Sequence, residues 1–271
     1  MFFAGSYTRR ELDVLAKYHC PMMQNWSTIE RRDPIWKKLR TGEIDDIIFD
    51  SGGFQAQTGV KTTRVVNKES YALWLELTLR EYPNIKYLNL DVFGNNAATL
   101  DNQAYFESQG LHPIPIWHAI GNEVPDMILD YLCDRYEYVA IGAIAKSASK
   151  SIYKLFEYLM QKYPHTKFHL LGIGLGINNI CKIYRPYSAD SSTWLAPSRW
   201  GRELLFDGED FSMRLMSEED RLAIRKNDVV RTMWSEKTIQ VIKAFEDHVN
   251  NTEPKKIFQV NMFAGETLWQ E

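Results

Sequence analysis

Three aspartates, Asp50, Asp91 and Asp190, each come directly after a short apolar run in a chain of 271 residues. Acidic side chains usually prefer solvated helix faces, so carboxylates at the ends of apolar runs are candidates for chemistry. If they converge, they suit two kinds of site. One is a glycosidic-bond reaction, in which one Asp is the nucleophile and another transfers the proton. The other is a divalent-metal site built from oxygen ligands.

Asp50 also opens the most informative stretch of the sequence, D-S-G-G-F-Q at residues 50–55. Glycines let a backbone turn sharply and approach a ligand closely, and the ring of Phe54 can cover a flat ring. These features favour a nucleobase-like substrate, because a metal site gives the aromatic residue no role. An ordinary strand-to-loop turn, with Asp50 and Ser51 capping the residues that follow, is the alternative interpretation of the same stretch.

Further candidates follow other apolar runs. His118 is suited to contact a substrate and equally to make a structural hydrogen bond. Gly142 and Gly172 would bring bare backbone amides to the place where a polar ring could hydrogen-bond. His169 lies inside a predicted strand, where we expect a structural role. The glycines at 172, 174 and 176 lack the full spacing of a dinucleotide-binding loop.

Short apolar runs alternate with helical patterns about eight times, and these elements must position the candidates. The alternation predicts a parallel sheet with helical crossovers. Eight units predict a closed (β/α)8 TIM barrel, with a doubly wound open sheet as the alternative. The site of such a barrel lies at the carboxyl ends of its strands, where the candidates stand. The predicted strands are residues 2–4, 47–50, 87–91, 114–117, 138–141, 167–171, 187–190 and 203–206.

Beyond Phe206 the pattern becomes helical, over residues 221–226 and 229–250. These segments predict a helical C-terminal extension packed on the barrel. We therefore expect a single domain over residues 1–271, with the barrel over about 1–206 and the extension over about 207–271.

Composition narrows the class of protein. The chain is 45% hydrophobic and 25% charged, as in ordinary globular proteins, and its net charge of -3 means that nucleic acid would have to bind through local basic patches. Three widely spaced cysteines without a C-x-x-C pair make a structural zinc site unexpected and fit a reducing compartment. No signal peptide or apolar run of about 18 residues is present. We therefore expect no membrane association and a cytoplasmic location.

Residues 50–55 resemble the D-S-G-G-[FY]-Q signature of the tRNA-guanine transglycosylases, and the similarity continues in order along the chain over about residues 45 to 206. Three features depart from that family. Its zinc-binding C-x-C-x-x-C…H subdomain is missing, the spacing between Asp190 and Pro197 is longer, and His118 stands near its base-reading Gln. The supporting segments are Leu90-Asp91, residues 140–145, 169–174 and 188–191, Pro197-Ser198-Arg199 and Leu204-Leu205-Phe206.

A short version without the zinc subdomain more closely resembles the 7-deazaguanine DNA transglycosylases of phages and bacterial genomic islands. That resemblance implies exchange of guanine in DNA for a 7-deazaguanine such as preQ0. The free base would be the co-substrate, with no cofactor and no zinc or other metal. The target base would be flipped or single-stranded, and accessory proteins could open the duplex. The location would be the host cytoplasm if the chain is phage-encoded.

The resemblance also implies roles for individual residues. Asp190 would be the nucleophile and Asp50 the general acid and base, while Asp91 would accept hydrogen bonds from the N1–H and the 2-amino group of the purine. Phe54 would stack on the ring, and Gly142 and Ala143 would read its other edge. The residues predicted to contact the base are Ser51, Gly52, Gly53, Phe54, Asp91, His118, Gly142, Ala143 and Gly172.

Cations near the predicted site are candidates for phosphate contacts, although a solvated surface would explain each of them alone. This predicted set is Lys61, Arg64, Lys146, Arg199 and Arg202. Three functional alternatives stay open: the same exchange on tRNA, a non-catalytic barrel that partners an active subunit, and an unrelated sugar-active barrel. The presence of both Asp50 and Asp190 argues against the second, and Phe54 against the third.

Overall fold

The computed structural model describes residues 1–5, 7–44, 46–59, 62–119, 127–142, 149–174 and 178–253. Eight strands form one parallel sheet in the order β4-β3-β2-β1-β8-β7-β6-β5. The strands are β1 (Phe2–Ala4), β2 (Met22–Asn25), β3 (Ile47–Asp50), β4 (Lys86–Tyr87), β5 (Ile116–His118), β6 (Tyr138–Gly142), β7 (Lys167–Leu170) and β8 (Ser188–Ser191).

The two outer strands of this order, β4 and β5, also meet. Leu88 and Ile114 form a parallel bridge. The Asn89 N–H donates to the Ile114 carbonyl at 2.9 Å, and the Ile114 N–H donates to the Tyr87 carbonyl at 2.8 Å. The sheet therefore curls on itself, and the predicted TIM-like (β/α)8 architecture is confirmed.

Helices connect the strands, and their starts follow from local chemistry. The Thr8 side chain accepts the Glu11 N–H in a capping box, and Asn67 caps the helix that begins at Lys68 in the same way. Pro34 occupies the first turn of its helix, as expected for a residue without an N–H. The helices are α1 (Arg9–Lys17), α2 (Pro34–Arg40), α3 (Gly53–Gln57), α4 (Lys68–Glu81), α5 (Asn96–Ser108), α6 (Met127–Arg135), α7 (Ser149–Lys162) and α8 (Asn178–Tyr184).

One predicted barrel strand is wrong. Residues 203–206 belong to β9 (Arg202–Phe206), which pairs antiparallel with β10 (Phe211–Leu215) in a separate two-stranded sheet. The eighth barrel strand is instead β2, whose polar residues Gln24 and Asn25 interrupt the apolar run that would have revealed it. The barrel strands therefore end at Ser191 rather than near residue 206.

A helical C-terminal region follows β8, as predicted. A 3-10 turn (Thr193–Leu195), α9 (Ala196–Trp200), α10 (Glu218–Lys226) and α11 (Asp228–Asn251) surround the β9–β10 hairpin. The long helix α11 packs against α1, where the buried Ser235 hydroxyl donates to Glu11 at 2.8 Å. No helix in the described part of the chain has the length and apolar character needed to cross a bilayer.

The barrel interior carries its own apolar layer beneath the site, separate from the larger cores between the sheet and the helices. Successive side chains of a strand point to opposite faces, so each strand contributes alternate residues to this layer. Its buried members are Phe2, Met23, Ile48, Leu88, Ile116 and Ala140. This layer lies directly beneath the candidate residues.

Candidate active site at the carboxyl ends of the strands

A cavity of about 290 Å³ opens at the carboxyl ends of the barrel strands. The structure brings Asp50, Asp91 and Asp190 together in its wall. That volume lies at the lower end of the range for small-molecule sites, about 300–1,000 Å³. The full lining is Met23, Asp50, Phe54, Gln55, Asp91, Phe93, Ile116, His118, Gly142, Leu171, Gly172 and Asp190.

Asp50 ends β3 and is partly buried. Its Oδ1 accepts the Gly52 N–H at 3.3 Å, and its Oδ2 accepts the Gln55 side-chain amide at 3.4 Å, both long for such bonds. Burial, reinforced by the negative charges of Asp91 and Asp190, raises the pKa of Asp50 to about 7 despite those two donors. Asp50 can therefore give or take a proton near neutral pH.

Residues 51–53, which follow Asp50, pack against Asp91. Gly52 adopts a left-handed φ of 72°, and the buried Ser51 hydroxyl donates to Asp91 Oδ1 at 3.4 Å. A Cβ on Gly53 would lie 2.5 Å from the Asp91 carbonyl oxygen. None of the three is among the residues that line the cavity, so their predicted contacts with a base stay a prediction. The close approach to Asp91 is itself a reason for glycine at position 53.

Asp91 forms a buried pair with His118. The His118 Nε2 lies 3.0 Å from Asp91 Oδ2, and the Asn96 side chain bonds both the N–H and the carbonyl of His118, at 2.8 and 3.1 Å. A Cβ on Gly142 would lie 2.7 Å from His118 Cδ2, so this glycine makes room for the imidazole. Each carboxylate oxygen of Asp91 has a protein partner, yet each keeps capacity for a second hydrogen bond.

Asp190 stands in a different environment on β8. Its Oδ1 accepts the Gly172 N–H at 2.8 Å, and His169 Nε2 lies 3.5 Å from the same oxygen. Gly172 has a left-handed φ of 63°, which directs its N–H toward the carboxylate. Gly172 therefore lines the cavity as predicted but also orients Asp190. The proximity of the fully buried His169 to Asp190 was not predicted, because it depends on two strands meeting in space.

Two aromatic rings form one side of the cavity. The Phe54 side chain is 37% exposed, and its ring contacts the Phe93 ring edge-on at 5.1 Å between centroids. The Phe93 ring in turn lies 5.7 Å from that of His118. Sequence reasoning missed Phe93, although an aromatic residue two positions after Asp91 was a usable signal. It also missed Gln55 as a partner of Asp50.

The described members of the predicted phosphate-binding set, Arg64, Arg199 and Arg202, do not line the cavity. Arg64 donates to the Trp26 carbonyl and lines a separate groove together with Trp36 and Trp74. Arg199 is exposed beside Gly5, where a Cβ would lie 2.9 Å from its guanidinium, so it stands near the carboxyl end of β1. Arg202 is exposed at the start of β9. Three predicted site residues, Lys61, Ala143 and Lys146, lie outside the described residues.

The described residues contain no group of three or more His, Cys, Asp or Glu side chains arranged to hold a metal ion. What the cavity offers is one carboxyl group that titrates near neutrality, a second that receives a short backbone hydrogen bond, and an aromatic side. A scan against protein-family models and a search of curated proteins found no match to this chain.

Proposed function

We propose that the chain is a base-exchange glycosyltransferase that replaces guanine in DNA by a 7-deazaguanine through a covalent intermediate on Asp190. One observation carries the proposal: two carboxyl groups with different surroundings face a single small cavity. Burial raises the pKa of Asp50 to about 7, whereas Asp190 accepts a 2.8 Å bond from a backbone N–H. Two carboxyl groups separated in this way suit a proton-transfer role and a nucleophilic role.

In the proposed first half-reaction, an oxygen of Asp190 attacks C1′ of the target nucleotide. The bond from C1′ to the guanine nitrogen breaks, its electron pair stays on the base, and Asp50 supplies the proton that neutralises it. In the second half-reaction, the incoming deazapurine gives its proton to Asp50 and attacks C1′, and the bond to Asp190 breaks. Two inversions retain the configuration. No redox or energy cofactor is required, because one glycosidic bond replaces another.

The cavity wall supports a flat, polar heterocycle as the ligand. Phe54 and Phe93 supply apolar ring surface against which a purine could stack. Asp91 and His118 supply hydrogen-bonding groups for its edge. Because the cavity admits one small molecule, the target base must leave its stack to enter. The preference for DNA over tRNA rests on the resemblance to the transglycosylases without a zinc subdomain.

Base exchange with radiolabelled guanine tests the proposal on duplex DNA, single-stranded DNA and tRNA. We expect label to enter DNA, and we expect Asp190→Asn to abolish both labelling and the covalent adduct. Asp101→Asn, at an exposed position on α5, is the matched control and should label like the wild type. Labelling of tRNA alone would favour the alternative polymer. An adduct that persists in Asp190→Asn would overturn the assignment of the nucleophile.

A further inference from the structure

Behind Asp190, three side chains on neighbouring strands form a partly buried polar chain inside the barrel. Tyr138 stands on β6, His169 on β7 and Ser188 on β8. The Tyr138 hydroxyl lies 2.6 Å from the Ser188 hydroxyl, which lies 2.7 Å from His169 Nδ1. The other ring nitrogen, Nε2, lies 3.5 Å from Asp190 Oδ1 and makes no hydrogen bond within the described structure. The His169 side chain is fully buried.

The groups on the two sides of the imidazole favour one position for its proton. Both the Ser188 hydroxyl, at 2.7 Å, and the Tyr138 hydroxyl, at 3.3 Å, can donate to Nδ1 of His169. With Nδ1 as the acceptor, the imidazole proton sits on Nε2, which faces Asp190. The opposite tautomer would point the Nε2 lone pair at the Asp190 carboxylate, and the two would repel.

We propose that His169 is a positioning residue, whose Nε2–H holds Oδ1 of Asp190 so that Oδ2 is the oxygen that bonds to the substrate. The inference rests on the base-exchange function proposed above. The Gly172 N–H already binds Oδ1 at 2.8 Å, so both donors converge on one oxygen. The 3.5 Å separation from Nε2 shortens in the reacting complex, since such bonds are often long in unliganded sites.

The same arrangement serves the second half-reaction. When the C1′–Oδ2 bond breaks, its electron pair returns to the carboxylate, and the two donors on Oδ1 stabilise the charge that develops there. Loss of the His169 donor should therefore slow the breakdown of the intermediate.

Histidine spectra of the full chain test the polar chain without reference to activity. With ¹⁵N-labelled histidine, we expect His169, assigned by its loss in His169→Gln, to carry a proton on Nε2. Asp190→Asn should shift the Nε2 resonance while the other histidines report an intact fold. A proton on Nδ1 alone, or an Nε2 resonance that Asp190→Asn does not shift, would overturn the inference.

Kinetics test the role of His169 in the reaction. We expect His169→Leu to lower kcat by about 10- to 100-fold, the range for side chains that orient a reacting ligand, with KM little changed. It should also let the covalent intermediate accumulate. His169→Gln, which offers an amide N–H in a similar place, should recover part of the rate. Ser235→Ala, which removes another buried hydroxyl, is the control and should behave like the wild type.

The outcomes separate the two proposals. If the wild-type chain exchanges no base on any polymer, the proposed function fails, and with it the assignment of Oδ2 as the attacking atom. The histidine spectra would still confirm or overturn the chain from Tyr138 to Asp190. If exchange is present but His169→Leu leaves kcat and the lifetime of the intermediate unchanged, the positioning role alone is overturned.

Discussion

Asp50 and Asp190 face the same cavity, yet their carboxyl groups have different surroundings. Asp50 receives two long hydrogen bonds, at 3.3 and 3.4 Å, and burial beside two other aspartates raises its pKa to about 7. Asp190 receives a backbone N–H at 2.8 Å and has the imidazole of His169 close to the same oxygen. Two residues of the same type therefore differ because of their neighbouring groups, which decide which carboxyl group can transfer a proton and which can act as a nucleophile.

The groups that contact the two aspartates also differ in their distance along the sequence from the aspartate that they contact. The donors to Asp50 come from Gly52 and Gln55, within five residues of it. The groups that surround Asp190 come from β7 and the turn after it, about twenty residues earlier in the sequence. The hydrogen-bond donors of Asp50 are therefore local, although its raised pKa also depends on Asp91 and Asp190. The contacts of Asp190 depend on the pairing of β7 with β8.

The largest effect should come from removing the titrating group in this comparison. We expect Asp50→Asn to slow formation of the covalent intermediate by about 10²- to 10⁴-fold, the range for general acid–base catalysis. In the wild type, this step should slow as pH rises through about 7, because the protonated form of Asp50 is lost. Single-turnover adduct formation between pH 5 and 9 measures both effects.

A variant of Gln55, which donates to Asp50, gives a second test of the same pKa. Gln55 donates to Asp50 and lowers its pKa, so Gln55→Leu should move the alkaline limb to higher pH while the limb survives. Asp50→Asn should lack the limb altogether. An unchanged pH profile in Asp50→Asn would break the comparison, because some other group would then control the proton.

Stability should respond to the same group with a defined sign. The pKa of Asp50 is raised from 3.8 to about 7 on folding, so its contribution to stability is fully present below pH 4 and is lost as pH rises through about 7. Asp50→Asn should remove this loss, and its advantage over the wild type should grow by about 2–4 kcal/mol between pH 4 and pH 8. Urea unfolding at the two pH values measures it, with Asp101→Asn as the exposed control. An advantage that is equal at both pH values would contradict a raised pKa.

Sequence patterns predicted the features that depend on residues close together in the chain. They did not predict the features that depend on contacts between distant segments. The alternation of apolar runs predicted the (β/α)8 fold, and the ends of those runs indicated Asp50, Asp91 and Asp190, which the structure places in one wall. The strand β2 went undetected because Gln24 and Asn25 break its apolar run. Residues 203–206 have the apolar character of a barrel strand, but they pair with β10 instead, and composition does not specify a partner.

The same limit explains the residues of the site. Gly53 was predicted to admit a ligand, and the structure adds a reason for its bare backbone that the sequence did not indicate, the close approach of Asp91, 38 residues later in the chain. The role of His169 depends on the register of β7 against β8, where it stands opposite Ser188. Nothing in the order of residues along the chain reports a register between two strands.

The smallest effects should come from substitutions at Gly53, which packs against Asp91, and at Gly172, which donates to Asp190. The physical causes of the two effects should differ. A Cβ on Gly53 would meet the Asp91 carbonyl oxygen at 2.5 Å, whereas a Cβ on Gly172 meets nothing within 4 Å but stands on a left-handed backbone. We expect Gly53→Ala to cost about 2–3 kcal/mol through overpacking and Gly172→Ala about 1 kcal/mol through its φ. Urea unfolding at one pH measures both.

A third glycine calibrates the pair. Gly59 has a φ of 73° and open space around its Cα, so Gly59→Ala reports the cost of the left-handed backbone alone and should match Gly172→Ala. Asn tolerates that backbone, so Gly172→Asn should lose less stability than Gly172→Ala. The larger side chain should make Gly53→Asn worse than Gly53→Ala, because the obstacle there is the Asp91 carbonyl and not the φ angle. Equal costs for alanine at 53 and 172 would mean that the segment after β4, which contains Asp91, can move away from α3. The position of Asp91 would then be set by its contact with His118 instead.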